Sequence, residues 1–321
     1  MDPIPLVRKF APILFFHPDE KYFSTSVDEF LQKAELRLLN RELKSKGPKL
    51  KHDVAVPAGE ASAEKIVDLN GKHPTRRLQL HIDGVDRYGA APDRLDGVPI
   101  YAVVKEIASA EEGKREAIEI NYIFFFAFNG PYNVLGVEVG AHVADWEHLT
   151  VRLFPDGKMQ GVYYNSHRNI DGDWLPAKEV PMKDGRPMVF LAKHGHGCYP
   201  RPGKQLRLFG FANDVCSGDG PVWRPKKIIL LKTEKTEPHA SRGCCLPCSE
   251  TGVQGITTRG IDPCLDIDNE IEVHENSEDW DKFQGYWGTV VNPTQQGWFN
   301  RAENPTSRGW VKRLFLPMLA C

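Results

Sequence analysis

Short apolar runs separated by turn signals dominate the chain from Arg76 onward. The segments YAVVKEI, AIEINYIFFFAF, EHLTVRLF, MQGVYYNS, MVFLA and IILLK are of strand length and rich in β-branched and aromatic residues. Such side chains suit a pleated, half-buried surface. PDG at Pro155, DGD at Asp171 and KDG at Lys183 mark tight turns between them. Few helical stretches intervene. The pattern predicts a mainly β protein: one antiparallel β-sandwich domain over residues 1–321, with a few peripheral helices and long loops.

The start of the chain reads differently. An apolar strand (Phe10–Phe16) runs into a Pro-Asp turn. Ser26 and Glu29 then fit a capping box, in which hydroxyl and carboxylate satisfy the orphan amides of a helix start. Phe30, Leu31, Ala34, Leu38 and Leu39 continue at helical spacing, and Gly47-Pro48 ends the predicted helix. Residues 49–74 and 233–262 are polar or without periodicity and read as mobile insertions.

Composition narrows the functional classes. The 321 residues carry 41 Lys+Arg against 43 Asp+Glu, a formal net charge of −2. No basic excess points to nucleic acid. The N-terminus lacks the order of a signal peptide, and no apolar run approaches the roughly 20 residues of a membrane span. A cytoplasmic protein is expected, with peripheral membrane contact left open and oligomeric state unassigned. Seven cysteines in such a chain read as mostly reduced thiols, and CCLPC (Cys244–Cys248) as free thiols in an insertion.

The stretch GAHVADWEHLTVRLF (Gly140–Phe154) places His142, Asp145, Glu147 and His148 in an otherwise strand-like segment. Strands disfavour Asp and Glu, so the charges need a reason. Period-two alternation puts Asp145, Glu147, Leu149 and Val151 on one face, the expected interior, and Trp146, His148, Thr150 and Arg152 on the other. The two carboxylates then lie about 7 Å apart. They could hold a hard cation such as Mg or Ca, with His142 tilting the choice towards Mn or Zn. Without metal, crowded carboxylates form a protonated acid beside an ionised base. Pairing with Arg or backbone amides is the structural alternative.

A hairpin across PDG would bring His167 towards His142 and Asp145. His194 and His196 follow another strand, interleaved with Gly195 and Gly197. If that segment stays extended, both imidazoles share one side and can serve as ligands or proton-transfer groups. Asn129 in FNGPYN could donate to a ligand, although a turn role is its default, and Glu20 and His17 read as cap or surface residues.

In order along most of the chain, FAPILFFHPDEKYFSTSVDEFL, FFFAFNGPYN, GAHVADWEHLTVRL, VYYNSHRNIDGDWLPA, PMVFLAKHGHGCYP and FQGYWG resemble the vacuolar protein sorting-associated protein 62 family of fungi and plants. That resemblance implies a link to vacuolar traffic. AHVADWEHLTV is more distantly similar to the GHRHDWE heptapeptide of the necrosis-inducing proteins, β-sandwiches that bind a divalent cation and plant sphingolipid headgroups. The likeness implies a metal site at His142, Asp145 and Glu147. Ala144 stands where that family has its second His, and Val134 roughly where it has a further Asp ligand.

Two functions follow. The preferred one is an intracellular enzyme acting on a largely apolar small molecule, in secondary metabolism, by cyclisation, isomerisation, dehydration or hydrolysis. Glu147 or Asp145 would be the acid, with His142, His167, His194 or His196 as base or orienting group. Phe126, Trp146, Tyr164, Trp287 and Asn129 would line the pocket. The alternative is a non-catalytic, metal-assisted binder of lipid or glycan headgroups.

Overall fold

The apolar run Tyr122–Phe128 lies in the middle of Arg115–Asn129 (β6), the long strand around which a computed structural model builds the fold. The structure describes residues 2–39, 52–56, 78–109, 111, 113–134, 137–166, 172–206, 213–236, 271–276, 280 and 286–288. On one side β6 pairs antiparallel with His142–Leu153 (β9), which pairs with Met159–Tyr164 (β10) and through it with Asp173–Pro176 (β11). On the other side β6 pairs antiparallel with Ile100–Ala108 (β5). Lys227–Thr236 (β18) and Glu272–Glu275 (β19) then join in parallel, which completes a seven-stranded sheet. The pairing is therefore mixed, where the sequence predicts antiparallel strands throughout.

A second sheet covers one face of the first. Its order is Met182–Lys183 (β12), Arg186–Leu191 (β13), Ile13–Phe15 (β1) and Val222–Trp223 (β17), with Cys198–Tyr199 (β14) also on β13. A third sheet joins Tyr286–Trp287 (β20), Leu78–His81 (β4), Glu35–Leu39 (β2) and His52–Val56 (β3). Two ribbons complete the strands: Tyr132–Val134 (β7) with Val137–Val139 (β8), and Gly203–Gln205 (β15) with Asp214–Cys216 (β16).

Half of the predicted capping box forms: the Ser26 hydroxyl accepts from the Glu29 amide, while the Glu29 carboxylate accepts from the Thr25 hydroxyl at 2.9 Å. The helix it starts is only Val27–Lys33. Ala34 is already extended, and Leu36 and Leu38 lie in β2 between β4 and β3, so sheet pairing overrides the helical spacing. Of the two expected insertions, residues 52–56 and 233–236 are strand. The remainder of both, with Cys244–Cys248, lies outside the described residues.

Phe16, Leu149, Val151, Leu153, Tyr164, Val189 and Trp223 fill the core between the first two sheets. Phe30, Leu36, Leu80, Tyr101, Phe125, Trp146 and Trp287 fill a second core on the other face, against the helix and third sheet. Both faces of β9 are therefore interior, and all twelve of its residues are buried. The wet face that alternation predicts for Trp146, His148, Thr150 and Arg152 does not exist.

That second face carries a buried ion pair. Arg152 Nη1 donates to Glu119 Oε1 at 2.7 Å. Burial outweighs the guanidinium and pushes the Glu119 carboxyl up to about 7. A folded-state pKa above the unfolded one means that its contribution to stability is complete at low pH. The contribution is lost as the pH rises from about 4.5 through about 7. Glu119→Gln keeps an acceptor for Arg152 and removes this titration. Its melting temperature is expected to vary less with pH over that window than wild type, with the variant gaining at neutral pH; thermal melts in buffers across the range would check this.

Candidate functional site

The site forms at the end of β9 that begins with His142. Asp145 pairs with Phe126 across the ladder, Glu147 with Phe124 and His142 with Asn129. Between His142 and Asp145 the backbone kinks, and Ala144 takes φ 58°. His142 Nδ1 consequently lies 3.2 Å from the Ala144 carbonyl, and its Nε2 4.0 Å from Asp145 Oδ1. A carbonyl only accepts, so Nδ1 carries the proton. Burial lowers the His142 pKa, and the ring is neutral near pH 7.

The loop after β13 supplies two more imidazoles, but they do not share a side. The extended conformation expected of His-Gly-His is replaced by a turn in which His194 and His196 adopt φ 64° and 54°. The fully buried His196 stacks on Phe126 with ring centroids 3.8 Å apart. Its Nε2 donates to the Tyr22 carbonyl at 2.8 Å, and its Nδ1 meets Asp145 Oδ2 at 3.2 Å. Nε2 must hold a proton for the carbonyl, and Nδ1 faces the Asp145 carboxyl. With both nitrogens engaged, His196 has none left for a substrate. His194 turns the other way, its Nδ1 3.3 Å from the Pro131 carbonyl. The same argument leaves a lone pair on His194 Nε2, which is buried and has no hydrogen-bond partner among the described residues.

Glu20 ties the two loops together. Its Oε1 accepts from the amides of Lys21 and Tyr22, both at 2.8 Å. Its Oε2 accepts from the His194 amide at 2.6 Å, and Oε1 lies 3.9 Å from His196 Nε2. The sequence gives Glu20 a cap role. It does cap its own turn, but its reach to a segment 174 residues away has no local signal.

Other candidates fall elsewhere. Glu147 is buried beside Cys198, whose thiol is raised well above its usual pKa by burial, then by Glu147 and other neighbouring acids. Trp146 and Trp287 belong to the second core, and Tyr164 spans the two sheets by donating to the Met188 carbonyl. Asn129 donates to the Gly130 and Gly140 carbonyls, the expected turn role. Phe126 is the platform under His196. His167 lies outside the described residues.

Next to this cluster opens a cleft of about 480 Å³, lined by Tyr22, Arg87, Tyr88, Phe128, Pro131 and Glu138. Tyr22 and Tyr88 stack in parallel 5.7 Å apart, and the Arg87 guanidinium lies 4.9 Å from the Phe128 ring centroid. Burial raises the Tyr22 pKa, so its phenol stays protonated at neutral pH. Tyr22 also packs edge-on against His194, and Pro131 holds its Nδ1–H, so the cleft and the imidazoles share a wall. Nothing local in the sequence links Arg87 or Tyr88 to Tyr22.

A divalent cation fits these residues poorly. His142 Nδ1 is spent on its own strand, and Asp145 Oδ2 and both nitrogens of His196 are engaged. Among the described residues no three His, Cys, Asp or Glu side chains converge on a common point.

A sandwich with a buried carboxylate–imidazole cluster at one strand end thus defines the class of fold and site. The chain belongs to the vacuolar protein sorting-associated protein 62 family, whose pattern it matches over residues 4–219. It is 22% identical over 311 residues to vacuolar protein sorting-associated protein 62 of Saccharomyces cerevisiae, covering 88% of this chain and 63% of the yeast protein. It is 25% identical over 248 residues to TDA6 of the same yeast, covering 67% of this chain and 51% of TDA6. The chain therefore spans between half and two thirds of these relatives. Among solved structures it is similar to necrosis and ethylene inducing protein 2 from the causal agent of cocoa's witches' broom disease. The identity is 14% and the TM-score 0.30, over 71% of this chain and 73% of that one. NLPPya in complex with mannosamine matches at 9% identity and TM-score 0.30, over 71% of each chain. Among the described residues, no helix is long and apolar enough to cross a membrane.

Proposed function

We propose that the protein is a small-molecule enzyme of the acid/base type. Its substrate sits in the cleft beside Tyr22, and His194 Nε2 is the proton-transfer group. The supporting observation is local strain. Of the four non-glycine residues with positive φ among the described residues, Ala144, His194 and His196 lie in this cluster. Each such residue costs about 1–3 kcal/mol and persists where its surroundings over-determine it, which is common at active sites. Here the surroundings are two buried carboxylates, Glu20 and Asp145, which hold the loops in place. Asp145 and His196 position the loop, His194 keeps a fixed tautomer with an open lone pair, and Tyr22 offers a protonated phenol. A weak acid on the cleft wall with a base packed directly behind it suits isomerisation, dehydration or cyclisation, each of which removes a proton at one atom and returns it at another.

The test is genetic and then enzymatic. A strain lacking the gene should accumulate a small molecule that the purified wild-type protein converts. His194→Ala should convert it about 10²-fold more slowly while melting like wild type. Full conversion by the folded variant would sink the proposal. The aromatic and charged lining of the cleft favours a second reading, a non-catalytic binder. That reading predicts no accumulated precursor and loss of ligand binding in Tyr22→Ala. Chelation is expected to leave turnover unchanged on the first reading; a chelator-sensitive activity, restored by Mg or Ca, would contradict it.

A further inference from the structure

β9 keeps one register with β6 from His142 to Leu153, with no residue inserted. One rung of that ladder is missing, the one that would join Ala127 to Ala144. There Ala144 takes φ 58°, a left-handed conformation that is unfavourable for a residue with a Cβ. Because the register is continuous, strand pairing alone would leave Ala144 extended. Something packed behind the strand has to hold it otherwise. The strap Tyr286–Gly288, which contains β20, lies there. Trp287 is buried among Phe30, Phe125, Trp146 and Trp280, with ring centroids 5.3–6.1 Å away. Gly288 follows with φ 80°. Its amide donates to the Leu80 carbonyl at 2.9 Å, and its carbonyl accepts from Gln79 Nε2 at 2.7 Å. A Cβ on Gly288 would overlap the Val143 carbonyl and come within 2.9 Å of the Ala144 Cβ. Glycine is the residue that lets the strap lie this close.

We propose that Gly288 is a positioning residue for the imidazole cluster: the strap clamps the kink at Ala144 from behind, and the kink sets His142 against Asp145. Val143 and Ala144 belong to the same buried cluster as Trp287, so the clamp is part of the second core. A strained backbone persists only where its surroundings over-determine it, and the Gly288 backbone is the neighbour that does so here. Relaxation of Ala144 into the ladder would turn its carbonyl away from His142 Nδ1, which it now meets at 3.2 Å. The ring that stands 4.0 Å from Asp145 Oδ1 would then lose its orientation. A segment far along the chain thereby governs the start of β9 through backbone contact. Loss of turnover on loosening the clamp is a consequence that rests on the proposed enzymatic reading; the clamp itself does not.

The experiment follows the exchange of imidazole protons with solvent by NMR, in the full chain labelled with ¹⁵N at histidine. Wild type should show slowly exchanging protons on His142 Nδ1 and on His196 Nε2, which donates to the Tyr22 carbonyl. In Gly288→Ala and in Gln79→Met the His142 proton should exchange about tenfold faster or more, and the His196 proton within about twofold of wild type. Gln79→Met removes the donor to the strap and adds no atom against β9, so it carries the test if Gly288→Ala does not fold. Adding Ala144→Gly to Gln79→Met should restore slow exchange at His142, because glycine accepts φ 58° without help from the strap. No readout involves turnover, so failure of the clamp and failure of the catalytic reading are distinguishable. A His142 proton as slow as in wild type in the variants overturns the proposal. So does equal acceleration at both histidines, which would mean that the strap serves overall stability alone. Failure of Ala144→Gly to slow the exchange again overturns it as well.

Discussion

Asp145→Ala is expected to lower the free energy of unfolding by about 3–5 kcal/mol, the usual cost of removing one partner from a buried ionisable pair. Asp145 is 3% exposed and His196 is fully buried. Without the carboxylate, His196 Nδ1, buried against Phe126, loses its hydrogen-bond partner. Asp145→Asn should recover most of the loss. The Tyr22 carbonyl keeps the proton of His196 on Nε2, so Nδ1 can accept from an asparagine amide. Chemical denaturation of the two variants beside wild type makes the comparison. An alanine variant within about 1 kcal/mol of wild type would mean that the pair does not hold the two loops together.

The second large effect is expected at Gly195→Ala. A Cβ at this position would land on the Tyr132 hydroxyl, so the phenol or the loop has to move. Overpacking of this kind costs about 1–3 kcal/mol. The functional cost should be larger, because Gly195 separates two histidines with strained backbones. A displacement of roughly 1 Å at a catalytic group commonly costs about 10²-fold in rate. The ring Cζ of Tyr132 would also be too close, so Tyr132→Ala is the change that removes every atom the methyl group would meet. In a double-mutant cycle Tyr132→Ala should therefore cost less in the Gly195→Ala background than in wild type. Purely additive effects in that cycle would show that the clash is relieved elsewhere.

Both effects arise from features of unequal legibility. The strands and the PDG hairpin could be read because alternation and turn chemistry are local, and Tyr164 does pair with Leu149 across that hairpin. The capping box was equally local. The end of the helix was not, since Leu36 and Leu38 fit either a helix or a strand until β4 offers itself as a partner. Alternation correctly grouped Asp145 with Leu149 and Val151 on one face. It could not say that the other face is covered too, because that depends on a third sheet assembled from distant segments. The sequence singled out Asp145, His142 and His196, and the fold brings them together. It undervalued Glu20 and Tyr22, whose partners lie 174 residues away. It also assigned Trp146, Tyr164 and Trp287 to a pocket, since large aromatics look alike in sequence whether they wall a cleft or fill a core.

The contact between residues 20–22 and 194–196 also bears on how the protein is made. The first apolar strand, Ile13–Phe15, lies parallel to Met188–Phe190 and antiparallel to Val222–Trp223. On the ribosome this greasy segment emerges before its partners and waits for their synthesis. Parallel pairing at such sequence separation is slow to form and exposes aggregation-prone surface meanwhile. The histidine cluster can therefore assemble only after residues 20–22 and 194–196 have met. A nascent chain halted before Arg186 should lack the cluster altogether and depend on chaperones to stay soluble.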